Sequence, residues 1–127
     1  MAVGISTYLA NAWMNALGNA TAFSVTTPYI KLHVGDPGAA GTSNAATETT
    51  RKAVSFAAAS NGALASDADV TWTNIAGSQD ATHFTAWDSL TTGNFLFSGT
   101  ITGNAYTAGD TYTISSGGLT VSLTVAS

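Results

Sequence analysis

The sequence predicts a mainly β domain, an antiparallel β-sandwich or jelly-roll-like barrel with one N-terminal amphipathic α-helix. Three observations predict it. Apolar residues keep helical spacing only before Gly18. Beyond it, about seven short segments alternate apolar and polar residues, and clusters of Gly, Asn, Asp and Ser separate them at roughly 8 to 12-residue intervals. A chain of 127 residues supports one hydrophobic core, so residues 1–127 are expected to form a single domain, with the helix in 1–18 and the sandwich in 27–127.

The helix rests on Ile5, Leu9, Ala12, Trp13, Ala16 and Leu17, which fall on one stripe while Asn11 and Asn15 point elsewhere. Ser6 is placed to cap its start and Gly18 to end it in a left-handed conformation. Pro28 then opens a strand in which Ile30, Leu32 and Val34 share one face and Tyr29, Lys31 and His33 the other. Gly35-Asp36-Pro37-Gly38 turns the chain, with Asp36 capping the turn through its own backbone, and the small residues up to Thr50 read as an exposed loop for mobility or partner contact. Val54 and Phe56 point inward from the next segment, and Asn61-Gly62 is a hairpin signal leading into Ala63-Leu64. Further strands are expected at Val70–Trp72, Thr82–Trp87, Phe95–Thr102, Thr111–Ile114 and Leu119–Val125, the last with strict alternation of Leu119, Val121, Leu123 and Val125.

Charge excludes more functions than any motif suggests. Only 8% of residues are Asp, Glu, Lys or Arg, against roughly 25% in an ordinary domain. Ser, Thr, Asn, Gly and Ala must therefore cover the surface, which lacks the repulsion that keeps monomers apart, and self-association is expected. Lys31, Arg51 and Lys52 are the only basic side chains and the net charge is -4, a balance that cannot neutralise a run of phosphates or bind an anionic membrane. Cysteine is absent, which removes disulfides, thiolate chemistry and Cys-based zinc sites. The first residues carry no Lys or Arg ahead of a periodic, broken apolar pattern, so they read as folded structure rather than a signal peptide. No apolar stretch approaches about 18 residues.

Candidate chemistry is thin. His33 and Asp36 offer two metal ligands and no third, and His83 near Asp80 and Asp88 comes without any nucleophile motif. Asp67 and Asp69 are the only close carboxylate pair, one residue apart before a strand, and Glu48 is the sole glutamate. Gly109-Asp110 and Gly117-Gly118 lack the Gly-Lys-Ser/Thr core of a phosphate loop and read as turns. Trp72, Trp87 and Tyr106 could stack on a sugar ring, although aromatics at alternating positions are more often core. The expectation is a non-enzymatic protein with no catalytic residue, no metal and no cofactor, whose contacts run through Ile5, Leu9, Trp13, His33 and Asp36.

The run Leu32-His33-Val34-Gly35-Asp36-Pro37-Gly38-Ala39-Ala40-Gly41-Thr42, behind the Ile5 to Trp13 helix, resembles small virion proteins encoded by tailed phages of actinobacteria. The likeness extends through Arg51–Phe56, Thr71–Asn74, Thr82–Phe84, Trp87-Asp88 and Gly109-Asp110. It implies a virion structural protein of tail-fibre-like or capsid-decoration type. A compact domain without collagen-like, coiled-coil or β-helical repeats suits the outside of a head better than a fibre shaft. The resulting expectation is a decoration or minor capsid protein that self-associates as a trimer and is bound to the major capsid protein or other virion proteins. A tail tip or fibre component, or a cell-surface carbohydrate-binding module, is the alternative.

Overall fold

The computed structural model describes residues 3–126. Met1, Ala2 and Ser127, at the ends of the expected helix and sandwich ranges, lie outside them. Helical spacing builds α1 over Thr7–Gly18, and the Ser6 side chain accepts the N–H of Leu9 at 3.0 Å as its N-cap. The helix runs through Gly18 instead of ending on it. Asn19 closes it with an N–H to the Asn15 carbonyl, and the positive φ falls at Ala20, at 50°. Only the first half of the apolar stripe is covered: Leu9 is buried, Trp13 partly so, and Leu17 is 81% exposed.

Eight short strands follow: β1 (Tyr29–His33), β2 (Lys52–Ala53), β3 (Ala63–Ala65), β4 (Val70–Trp72), β5 (His83–Trp87), β6 (Phe95–Thr100), β7 (Tyr112–Ile114) and β8 (Thr120–Ser122). A four-stranded antiparallel sheet runs β2-β1-β5-β6, and β3-β8 and β4-β7 form two-stranded sheets. Residues 4–6 extend the free edge of β6: Ser6 donates to Leu96, Gly4 accepts from Ser98, and Ile5 lies opposite Phe97. This edge contact seats α1 beside β6. The fold is thus mainly β, with antiparallel sheets and one helix near the N-terminus, and no closed barrel forms among the described residues.

Ile30, Leu32, Phe84 and Leu119 are wholly buried, and each contributes about 1.5–3 kcal/mol in removing apolar surface from water. Gly99 faces Phe84 across β5 and β6, and a Cβ there would lie 2.7 Å from the Phe84 ring. The Phe84 ring is wholly buried and packed edge-on against Phe97, so Gly99→Ala is expected to cost about 1–3 kcal/mol by overpacking. Chemical denaturation of the variant, with an unchanged midpoint as the contrary result, checks this. The Asn61-Gly62 hairpin forms as its residues dictate, with φ of 52° and 75° and reciprocal bonds between Ser60 and Ala63.

Three expectations are corrected. The segment from Ala39 to Thr50 is tied to the sheet rather than loose: Val34 donates to Asn44, Ala46 donates to Leu32, and both Ala46 and Glu48 are buried. β1 stops at His33, which is buried while Val34 is exposed, because the strand leaves the sheet where the Asn44–Ala46 segment pairs with it. The final strand is three residues long, not seven. Its last sheet-like bond is from Leu123 to the Gly62 carbonyl, where its partner chain turns away at the hairpin, leaving Leu123 47% and Val125 51% exposed.

Candidate functional site

The five residues expected at contacts do not share a surface. Ile5 is partly buried against Phe97, Leu9 is buried and Trp13 is partly buried on the core. Asp36 holds its own turn, its Oδ1 accepting the Gly38 N–H at 2.9 Å, while its carbonyl accepts from the Asn44 amide at 2.8 Å. His33, expected on the polar face of its strand, is 0% exposed and is thereby withdrawn from any direct partner contact.

His33 is instead the middle of a buried relay. A carbonyl can only accept, so Nδ1 carries the proton and donates to Ser43 at 2.8 Å. Nε2 then accepts from the Thr85 hydroxyl at 3.0 Å, whose oxygen accepts the Trp87 indole N–H at 2.8 Å. Burial pushes the imidazole below its ordinary pKa, opposed by the Ser43 bond and reinforced by Lys31 and His83. The relay ties β1 and β5 to the Gly35–Ala45 turn. Arg51 secures the opposite end of β5, stacking 4.3 Å from the Trp87 ring centroid and donating to the Ser89 and Thr92 carbonyls at 2.8 and 2.7 Å.

Most of the carboxylates are likewise occupied with backbone. Burial alone would raise the Glu48 carboxyl, but the N–H groups of Ala76 at 2.9 Å and Thr50 at 3.2 Å, with Lys52 nearby, outweigh it and hold the group below the usual carboxylate range. Asp88 braces Asn94, Asp69 accepts from Ser116, Asp110 accepts from Thr107, and Asp67 takes the Ser55 hydroxyl. Among the described residues no three His, Asp or Glu side chains converge as metal ligands, and no helix is long and apolar enough to cross a membrane. Trp72, Trp87 and Tyr106 are buried in the core, which removes them as a sugar-stacking platform.

What the molecule offers outward is an apolar cleft of about 750 Å³ between α1, the segment leading into β1, and residues 53–56. Trp13, Phe23, Val25, Phe56, Leu64 and Phe97 line it, and no charged side chain does. The stretches 1–30 and 111–127 contain no Asp, Glu, Lys or Arg, so every charged side chain of the protein lies between Lys31 and Asp110. The charge-free ends meet here, since Trp13 and Leu64 also line an adjoining hollow with Val121 and Leu123. Phe23 and Val25 escaped the reading of the sequence; the signal that could have found them is the alternation Phe23, Val25, Thr27 just ahead of Pro28. Because Trp13 is partly rather than fully buried on the core, Trp13→Ala is expected to cost about 2–3 kcal/mol of stability, less than a fully buried Trp. Thermal melting measures that; a loss as large as for a core Trp would contradict the placement.

The site is therefore a broad cleft without charged side chains on a β-rich scaffold, with most of the carboxylates engaged in local hydrogen bonds. A family model described as podophage GP4 fiber I protein gp80 matches residues 4–122, from the β6 edge strand to the end of β8. The protein is a structural component of a phage virion. The chain belongs to the podophage GP4 fiber I protein gp80 family. No curated protein matches it.

Proposed function

We propose that the protein is a non-enzymatic component of the tail fibre apparatus of a podophage, acting as a folded module that packs against copies of itself and against other virion proteins. The observation that carries this reading is the family match over 4–122, which takes in every strand and the helix. It favours the fibre over the capsid surface, the placement that compactness alone had suggested. A short module with no repeat of its own fits a fibre as a base, joint or tip rather than a shaft. The Leu32–Thr42 run supports a phage of actinobacteria. The low charge of the chain supports self-association, and three copies closing on one another is the stoichiometry we favour. The carbohydrate-binding alternative has lost the three aromatics that suggested it.

Gold-labelled antibody raised against the protein and applied to intact virions tests the location. Label at the tail is the expected result. Label spread over the head would return the protein to capsid decoration.

A further inference from the structure

The walls of the cleft carry unused backbone. Ahead of β1, Phe23, Val25 and Thr27 are half-buried and Ser24 and Thr26 exposed, the alternation of a strand, yet residues 22–27 belong to no sheet. Among the described residues no hydrogen bond reaches their N–H or C=O groups; the bonds on either side are those of Thr21 to Asn15 and of Val54 to Pro28. On the facing wall, the Ser55 carbonyl and the Ala57 N–H bond to Asp67 and Ala65, so Phe56, which lies opposite Ser66, turns its own N–H and C=O away from that partner. An apolar slot flanked by free strand edges is the geometry that an added strand completes.

The same chain carries a segment of the right chemistry. Leu119, Val121, Leu123 and Val125 alternate as one long strand, but pairing ends with the Leu123 bond to Gly62, and no hydrogen bond holds residues 124–126 among those described. Leu123 and Val125 remain about half exposed. Slot and tail both lack charged side chains, and a segment with charged side chains entering the slot would lose its hydration with no counterion to meet it. The tail also emerges beside the slot, since Leu123 shares its hollow with Trp13 and Leu64.

We infer that the cleft is a strand-accepting slot and that its occupant is the C-terminal segment Leu123–Ala126 of a second copy. That segment pairs with residues 22–27 and seats Leu123 and Val125 against Phe23, Val25 and Phe56. The contact is heterologous, slot to tail, so it joins copies into a closed set only through repetition or exchange. This inference rests on the self-association proposed above and supplies its mechanism.

Two lesions separate the halves of the contact. Leu123→Thr with Val125→Thr strips the tail of its apolar side chains at half-exposed positions and keeps β propensity. Val25→Asp places a charge in the slot. Sedimentation velocity on the full chain is expected to show an oligomer for the unaltered protein and monomers for each variant, with the tail variant melting within a few degrees of the parent. Mixing the two variants is expected to restore a one-to-one complex, because an intact tail then meets an intact slot. If Val25→Asp unfolds, judged by circular dichroism, the tail variant alone decides. An oligomer that survives the tail substitutions overturns the inference and leaves self-association standing, while a monomeric parent protein overturns both. Variants that are monomeric and folded but stay apart on mixing also overturn it.

Discussion

Trp72→Ala is expected to lower stability by about 3–5 kcal/mol, a large share of the roughly 5–15 kcal/mol that holds a domain of this size folded. Trp72 is 1% exposed, packs on Tyr112 with ring centroids 6.0 Å apart, and donates its indole N–H to the Thr50 carbonyl at 2.8 Å. Removing it opens a cavity between β4 and β7, and it also frees the end of the Ala39–Thr50 segment. The melting temperature is expected to fall by roughly 10–20 °C. A fall of only a few degrees would mean that the two-stranded β4-β7 sheet contributes little to the core.

His33→Ala is expected to cost about 2–4 kcal/mol, from the cavity and from the stranded Thr85 hydroxyl. It also removes a pH dependence. The unfolded chain protonates this histidine near a pKa of about 6.5, whereas the buried, Ser43-bonded ring protonates only at lower pH. Between those values the unfolded state binds more protons, so the contribution of His33 is complete above about 6.5 and is lost as the pH falls below it. Protonation would put a second N–H on the ring, facing a Thr85 oxygen that already accepts from Trp87. The carboxyl of Glu48, held below its ordinary range, adds a second loss at still lower pH, as the pH falls from about 4.3 through its folded value. Urea midpoints measured from pH 8 to pH 5 are expected to decline below about 6.5 in the parent and to flatten in His33→Ala. An equal slope in both would remove His33 as the cause.

Strand positions were legible because each is short, alternating and closed by turn residues. Val70–Trp72 is found as read, and the Asn61-Gly62 turn follows from two residues that both accept positive φ. Burial at strand ends was not legible. Period-2 reasoning put His33 with the polar face, but past the end of β1 the Gly35–Ala45 turn folds over that face and covers it, and no local pattern announces such a lid. The final segment failed in the opposite sense: Leu119 to Val125 alternates well enough to form a long strand, but its neighbour turns away at Gly62, and a strand extends only as far as its partner does. The cleft eluded the sequence because it is built from distant pieces, Trp13 on the helix, Phe23 and Val25 ahead of β1, and Phe56 and Leu64 beyond β2. Charge segregation was countable from the start, but only the fold shows that the two uncharged ends meet.

The central claim is that this domain is a packing module of the podophage fibre apparatus rather than a coat on the head. Copy number per virion, from quantitative staining of purified particles with the major capsid protein as internal standard, tests it most directly. The account predicts a handful of copies per particle; hundreds of copies would contradict it.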